Sequence, residues 1–218
     1  MKLIIANWKM YLGVKESIAL AKKTHGGKNE IVVCPSFVAL SGVRKTLNKG
    51  VKLGAQNVSW QEGGALTGEV SAGMLSELGC KYVIIGHSER RRFLKEGEVV
   101  IREKLKAVLA KKIIPILCVS DLAELSVLNN LSVEKLVIAY EPVWAIGTGK
   151  TPTMDEISAM HQKIYSKVKK SIKNLCVIYG GSVDEKNIEK ILAAPGVDGV
   201  LIGGASAKPE SWKKIIKQ

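Results

Sequence analysis

The chain has 218 residues, of which 46% are hydrophobic and 24% charged, and its formal net charge is +13 at pH 7. This length suits one α/β domain of about 200 to 250 residues, and the composition excludes an intrinsically disordered chain. No apolar stretch approaches the roughly 18 residues of a membrane span, and the first apolar run is too short for a secretory signal. We therefore expect residues 1–218 to form a single cytoplasmic domain that makes no membrane contact.

Eight short apolar runs recur along the chain and predict eight β-strands. Most of the runs are continuous rather than alternating, which is typical of parallel strands that are buried on both faces. In chain order they begin at Lys2, Glu30, Val51, Tyr82, Ile113, Leu136, Leu175 and Gly199.

Helix-like segments with one polar face lie between the runs, and Asp155 and Asp184 are placed to cap two of them. Strands and helices that alternate eight times predict the α/β class and a single closed (β/α)8 barrel, also called a TIM barrel, rather than an open sheet. The connection from Ser120 to Lys135 carries only a weak helical pattern, so the link between strands 5 and 6 should be shortened. The helical segments are 15–23, 99–111, 155–170, 184–192 and 210–217.

The positive charge raises the hypothesis of a nucleic-acid-binding protein, because lysine and arginine neutralise phosphates. Lysines here occur mostly as pairs on amphipathic segments, where a solvated helix face explains them, and aromatic residues that could stack on bases make up only 5%. We expect no nucleic-acid partner. The four cysteines are widely spaced and form no CxxC pair, which favours buried reduced thiols over disulfides or a metal site.

Polar residues and glycines follow five of the predicted strands, where the active sites of such barrels lie. Each alone has an ordinary explanation: a solvated lysine, a structural histidine, a glutamate that starts a helix, or turn glycines. If the strands bring these residues to one rim of the barrel, they would supply a base, a cation, an imidazole and two glycine-rich sites that bind an anion. These residues are Asn7 and Lys9 after strand 1, His87 after strand 4, Glu141 after strand 6, Gly180-Gly181-Ser182 after strand 7, and Gly203-Gly204 after strand 8.

The segment Gly147-Thr148-Gly149-Lys150-Thr151 ends like a nucleotide-binding P-loop. A P-loop requires glycine five residues before Gly149, where this chain has Trp144, and the dinucleotide pattern G-x-G-x-x-G fails at Pro152. No nucleotide cofactor is implied.

Six blocks of sequence, in order along the whole chain, resemble the triosephosphate isomerase family. The resemblance implies cofactor-free and metal-free interconversion of dihydroxyacetone phosphate and D-glyceraldehyde 3-phosphate, a step of glycolysis and gluconeogenesis. The blocks are Asn7 to Met10, Gly54 to Val58, Thr67 to Glu69, Gly86 to Arg91, Tyr140 to Lys150 and Tyr179 to Val183.

The resemblance also implies a role for each residue of the rim. Glu141 would move a proton between neighbouring carbons through a cis-enediolate, and His87 would donate a hydrogen bond to the substrate oxygens. The dipole of the helix that begins at Ser88 would keep His87 neutral, an arrangement for which this family is the known example. Lys9 and Asn7 would stabilise the developing negative charge. Glu89, in the same block as His87, is placed with the catalytic residues.

The remaining roles concern phosphate binding, a lid and a dimer. Main-chain N–H groups of glycines and a serine would hold the phosphate beside Asn7 and Lys9, and a lid would close over it to exclude water. A long loop from Gln56 to Glu69 would bring Thr67 to the site of a partner in a homodimer. The phosphate residues are Gly147, Ser182, Gly203 and Gly204; the lid comprises Pro142, Val143, Trp144, Ala145, Ile146, Gly147, Thr148, Gly149, Lys150, Thr151 and Pro152.

The chain departs from the family where Cys118-Val119-Ser120-Asp121 replaces the usual Cys-Val-Gly-Glu and where the connection to strand 6 is short. No residue of the rim lies in that gap, so the departure concerns local stability rather than chemistry.

Two other hypotheses about the function stay open. A barrel aldolase would need a Schiff-base lysine on a strand, and the predicted strand 6, which begins at Leu136 and ends in Glu141, has no lysine inside it. A nucleic-acid-binding protein would bind in a salt-dependent way whether or not Glu141 is intact.

Overall fold

A computed structural model describes residues 1–143, 152–168 and 172–218 of the chain. Eight parallel strands follow one another around a closed barrel, and β8 pairs with β1 to close it. The prediction of a (β/α)8 barrel is therefore confirmed. The strands are β1 (Leu3–Asn7), β2 (Glu30–Cys34), β3 (Val51–Ala55), β4 (Tyr82–Ile85), β5 (Ile114–Val119), β6 (Val133–Tyr140), β7 (Ile172–Tyr179) and β8 (Gly199–Ile202).

Helices connect the strands around the outside of the barrel. Every strand except β5 is followed by at least one α-helix before the next strand or the end of the chain, and β8 is first followed by a 3-10 helix, Gly204–Ala207. The α-helices within the described ranges are α1 (Val14–Lys23), α2 (Phe37–Arg44), α3 (Ala72–Glu77), α4 (Ser88–Leu94), α5 (Glu98–Ala110), α6 (Met154–Val168), α7 (Ile188–Ala193) and α8 (Pro209–Ile215).

Successive residues of each strand point to two different apolar clusters. On β1, Ile4 packs in the large cluster that includes residues from the helices, whereas Ile5 packs with side chains of other strands. Side chains alternate between the faces of a strand, so a strand covered by helices outside and by other side chains inside must be apolar at every position. This is why the strand sequences appear as continuous apolar runs.

Strands β6 and β7 are longer than their apolar runs, so the predicted starts at Leu136 and Leu175 were wrong. The two strands pair from Val133 and Ile172 onward, and the first part of this ladder carries exposed polar side chains. Main-chain hydrogen bonds form a ladder whatever the side chains are, and apolar runs mark only the part of a strand that is buried.

The connection between β5 and β6 is short, as predicted. In place of an α-helix it contains a 3-10 helix, Ala123–Leu128, whose Leu125 and Val127 are buried. The side chain of Arg102 on α5 donates hydrogen bonds from Nη1 to the carbonyl oxygens of Val127, at 2.9 Å, and Asn129, at 2.6 Å. A charged donor from the neighbouring helix therefore helps to hold the end of this segment in place.

The two predicted helix caps differ from the observed ones. Asp155 lies inside α6, and Thr153 is the capping residue: its Oγ1 accepts a hydrogen bond from Glu156 N at 3.3 Å, and Glu156 Oε2 accepts one from Thr153 N at 2.8 Å. This reciprocal pair is a capping box. Asp184 caps the turn that leads into α7, since its Oδ1 accepts hydrogen bonds from the main-chain N–H groups of residues 186 and 187.

His161 on α6 is fully buried, and its burial predicts that the stability of the fold depends on pH. Its Nδ1 lies 3.0 Å from the carbonyl oxygen of Gly196, and its ring packs edge-on against Tyr140. Burial lowers the pKa of His161, although the hydrogen bond to Gly196 opposes this. As pH falls below about 6.5, the unfolded chain takes up a proton that the folded chain refuses, so the free energy of unfolding falls toward acid pH.

We expect His161→Gln to remove this contribution. The difference in unfolding free energy between wild type and variant should be constant above about pH 7.5. It should shrink by up to about 1.4 kcal/mol per pH unit at lower pH. Urea unfolding at pH 5, 6, 7 and 8 measures it, with His25→Gln, at an exposed histidine, as the matched control. A difference that is the same at every pH would contradict the prediction.

All four cysteines are free, with Cys34, Cys80 and Cys118 buried and Cys176 half-buried. Burial agrees with the prediction for three of the four, whereas Cys176 is less enclosed than its apolar neighbours in the sequence indicated. Within the described ranges, no helix has both the length and the apolar character that crossing a membrane requires.

Candidate active site

Glu141 begins the loop after β6 and is almost completely enclosed, with 1% of its surface exposed. One carboxylate oxygen, Oε2, accepts a hydrogen bond from Ser88 N at 3.0 Å. The other, Oε1, lies 3.3 Å from Nε2 of His87 but accepts no hydrogen bond with good geometry from any described residue. Among the described residues, the carboxylate is thus held by hydrogen bonding through one oxygen only.

His87 is the N-cap residue of α4, reached through a tight turn at Gly86, whose φ of +69° favours glycine. Its Nδ1 accepts a hydrogen bond from Glu89 N at 3.2 Å. A ring nitrogen that accepts carries no proton, so in the neutral ring the proton sits on Nε2, which faces Glu141. The start of a helix therefore sets the tautomer of His87, as well as binding Glu141 through Ser88.

Lys9 lies just beyond β1 in a left-handed conformation, with φ of +47°, which is uncommon for a residue other than glycine. Two side chains hold its main chain there: Lys9 N donates to Asn7 Oδ1 at 3.1 Å, and Lys9 O accepts from Gln56 Nε2 at 2.9 Å. Gln56 Nε2 also donates to the carbonyl oxygen of Cys34. A strained conformation fixed on both sides indicates that the position of Lys9 matters.

The ammonium group of Lys9 bonds to Glu89, with Nζ 2.5 Å from Oε1. Glu89 also lies near His87, with 3.6 Å between its Oε2 and the ring Nδ1. Gly203 permits this arrangement, because a Cβ there would stand only 3.0 Å from Lys9 Cε. Four of the five predicted catalytic residues, Lys9, Glu89, His87 and Glu141, therefore form a continuous chain of close polar contacts, and Asn7 supports its first member.

Two further residues adjoin Glu141: Gly180, which the sequence placed on the rim only as part of an anion site, and Cys118, which it did not place in the site. A Cβ at Gly180 would stand 2.9 Å from Glu141 Cγ, and Cys118 on β5 is buried next to the carboxylate. Burial and, second, the charge of Glu141 raise the pKa of the Cys118 thiol, which keeps it protonated. The pairing of β6 with β7 explains why Gly180 lies here. Tyr140 pairs with Tyr179, so the residues that follow them, Glu141 and Gly180, are neighbours.

The predicted phosphate and lid residues are only partly within the described ranges. Ser182, Gly203 and Gly204 follow β7 and β8 at the same end of the barrel as Lys9, and each is half-buried. At the ends of the predicted lid, Pro142 and Pro152 are buried and Val143 is exposed. The rest of the predicted lid, Trp144 to Thr151 with the phosphate residue Gly147, lies outside the described residues.

The predicted dimer loop leaves the barrel after β3. Gln56 at its base is half-buried and bonded within its own chain, whereas Thr67 and Glu69 are exposed. The loop closes on itself at the base through a hydrogen bond from Ser59 N to the carbonyl oxygen of Val70, at 2.8 Å.

The fold and these contacts define a class: a (β/α)8-barrel enzyme with a buried carboxylate, an imidazole and a lysine at the carboxyl ends of its strands. No group of three or more histidine, cysteine, aspartate or glutamate side chains placed to hold a metal ion occurs in the described part of the chain. A sequence model described as triosephosphate isomerase matches residues 2–218, and the chain belongs to the triosephosphate isomerase family.

Three relatives named triosephosphate isomerase illustrate the similarity. The protein of Clostridium tetani is 41% identical, over 98% of this chain and 95% of its own length. That of Dictyoglomus turgidum is also 41% identical, over 99% of this chain and 98% of its own length. That of Mesomycoplasma hyopneumoniae is 39% identical, over 99% of this chain and 98% of its own. The first alignment spans 242 positions against 218 residues here, so the relative contains segments that this chain lacks, in agreement with a shortened connection.

Proposed function

We propose that this chain interconverts dihydroxyacetone phosphate and D-glyceraldehyde 3-phosphate, with no cofactor or metal. The observation that carries the proposal is the pair formed by Glu141 and His87: both are buried, and Glu141 Oε1 lies 3.3 Å from His87 Nε2. A base and a hydrogen-bond donor placed this close can act on adjacent atoms of one small substrate, which is what an aldose–ketose isomerisation requires.

Glu141 is the base in the proposed mechanism. Its Oε1 removes a proton from the carbon beside the carbonyl, the C–H electron pair forms the C=C bond of the enediolate, and the carbonyl oxygen gains negative charge. A proton then passes from the hydroxyl oxygen on that carbon to the new oxyanion. The electron pair left on the first oxygen forms the new C=O bond, and the C=C pair takes the proton back from the carboxyl group at the former carbonyl carbon. The hydrogen bond from Ser88 N to Oε2 supports this role, because it fixes the carboxylate without occupying the reacting oxygen.

His87 and Lys9 act on the substrate oxygens. The Nε2–H of His87 donates to the oxygen that becomes negative, and Lys9 supplies a full positive charge in the same space. Asn7 positions Lys9 through Oδ1, and its Nδ2 donates no hydrogen bond to any described residue, which leaves a donor for substrate. Glu89 acts as a positioning residue, since it binds the ammonium of Lys9 and its main-chain N–H sets the tautomer of His87.

The proposal for phosphate binding rests on the glycines after β8 and on Ser182. Gly203 and Gly204 lack side chains where Lys9 and Tyr11 approach, so the main chain can come close to an anion. Together with Gly147 they would hold the phosphate while the lid, residues 142–152, closes and keeps water from the enediolate. The lid is inferred from its sequence and from the family.

A coupled assay of triose phosphate interconversion tests the proposed function directly. The folded wild-type protein should convert each triose phosphate into the other without added metal, and chelator should leave the rate unchanged. No conversion above background by folded protein would refute the proposal. Borohydride added with substrate should label no lysine, which separates this mechanism from a Schiff-base aldolase.

We further propose that residues 1–218 act as one domain, in the cytoplasm, and as a homodimer. Beside Asn7, Lys9 and His87 lies a concave surface of about 450 Å³ that no described segment of the same chain fills. Large apolar side chains around it are exposed, among them Met10 at 96% and Phe93 at 65%. The exposed loop tip at Thr67 is what would enter this surface on a partner subunit. An apolar rim that is covered by a second copy would explain its exposure here.

We expect Thr67→Arg to weaken the dimer, because a longer charged side chain would have to be buried against Lys9 of the partner. Light scattering at micromolar concentration should give a dimer for wild type and mostly monomer for the variant, with a parallel loss of activity. Ser41→Arg, at an exposed position on α2, is the matched control and should remain dimeric. A wild-type monomer at micromolar concentration would contradict the dimer.

A further inference from the structure

A second concave surface lies at the opposite end of the barrel from Glu141. It has a volume of about 760 Å³ and is formed by the end of α1, the loop that leads into β2, and α8. We call it the amino-terminal pocket, because it lies at the end where the strands begin. Volumes of about 300 to 1,000 Å³ are typical of sites for small molecules.

The amino-terminal pocket is strongly cationic. Five lysines line it against a single acidic side chain, Glu210, and none of the five ammonium groups has an ion-pair or hydrogen-bond partner within the described ranges. Lysines at helix ends are common because they complement the helix dipole, and this explains those at the ends of α1 and α8. It does not explain Lys28, which lies in the loop, or Lys217 beyond α8. The five are Lys22, Lys23, Lys28, Lys213 and Lys217.

The loop of the pocket adds main-chain donors. His25, Gly26, Gly27 and Lys28 are all exposed, and none of their main-chain N–H groups donates a hydrogen bond to another residue of the described chain. Two adjacent glycines leave the main chain open to close approach, and consecutive free N–H groups beside lysines are the elements from which phosphate sites are built. The site described above uses none of these groups.

We propose that the amino-terminal pocket binds a small molecule that carries several phosphate groups. Several lysines that converge on one cavity suit more than one anionic group, and the free N–H groups suit phosphate oxygens. Leu20, Trp212 and Ile216 also line the pocket, but Leu20 and Trp212 are almost completely buried, so recognition rests on the phosphate groups. A concave site of this size suits a compact ligand better than a polymer.

Titration calorimetry with inorganic tripolyphosphate and, separately, with ATP, at about 50 mM salt, tests the proposal. Both probes should bind the wild-type protein. The triple variant Lys22→Gln, Lys28→Gln, Lys213→Gln should bind them at least about 10-fold more weakly. A matched triple variant, Lys15→Gln, Lys163→Gln, Lys190→Gln, loses the same charge at exposed positions elsewhere and should bind within about 2-fold of wild type. Equal binding of the two probes would assign recognition to the phosphates alone, and tighter binding of ATP would show that the pocket also contacts the rest of the molecule.

Isomerase activity distinguishes this proposal from the proposed function. Both triple variants keep Glu141, His87 and Lys9, so both should retain the activity of wild type. No binding of either probe, or equal loss of binding in the two triple variants, would overturn the assignment. A single-stranded oligonucleotide that binds the same lysines more tightly than either probe would also overturn it, because the ligand would then be a polymer.

Discussion

Glu141→Gln is expected to lower kcat for triose phosphate isomerisation by about 10² to 10⁴-fold, the usual contribution of a side chain positioned as a general base. The amide has the size of the carboxylate and can still accept the hydrogen bond from Ser88 N, so the fold should be unchanged while the base is lost. The KM should change much less than kcat, because the phosphate is bound elsewhere. A coupled assay in both directions measures the loss.

Glu134→Gln is the matched control, because it makes the same substitution on β6 at an exposed position near the start of the strand. It should have wild-type activity. Glu141→Asp is a finer test, since it draws the carboxylate back by about one bond length, and a displacement of roughly 1 Å can cost about 10²-fold. Wild-type rates in Glu141→Gln would remove Glu141 from the mechanism, even if the protein proves to be an isomerase.

Lys9→Met should have the second-largest effect, a loss of about 10² to 10³-fold in kcat, comparable to the removal of one donor that stabilises an oxyanion. Methionine keeps most of the length of the side chain and removes the charge. The assay must separate two causes, however, because Glu89 is bonded to Lys9 and would be left as an unpaired carboxylate next to the developing negative charge.

The double variant Lys9→Met, Glu89→Gln distinguishes these causes. If the positive charge of Lys9 acts on the substrate, the double variant should stay within about 10-fold of the single one. If Lys9 serves only to neutralise Glu89, the double variant should recover most of the lost activity. Lys15→Met, at an exposed position on α1, controls for the change in net charge and should be fully active.

The sequence was a good guide to the members of the site and a poor guide to their contacts. Glu141 and His87 each follow a continuous apolar run, and parallel strands bring such positions to one end of a barrel. Their neighbours could not be found in the same way. Ser88 binds Glu141 through its main-chain N–H, a group that every residue except proline has, so no residue type marks it. Gln56 was assigned only to the dimer loop, and nothing in the sequence indicated that its side chain bonds to the main chain of Lys9.

The sequence by itself determined the eight strands, the barrel and the side chains proposed to react, because burial and chemistry both depend on residue type. Only the tertiary structure decided how far β6 and β7 extend, which oxygen of Glu141 is free, and that lysines from α1, α8 and a loop line one pocket. These features depend on main-chain hydrogen bonds and on contacts between distant residues, such as Ser88 and Glu141, which are 53 positions apart. The types of the side chains along the sequence do not by themselves predict these hydrogen bonds and contacts.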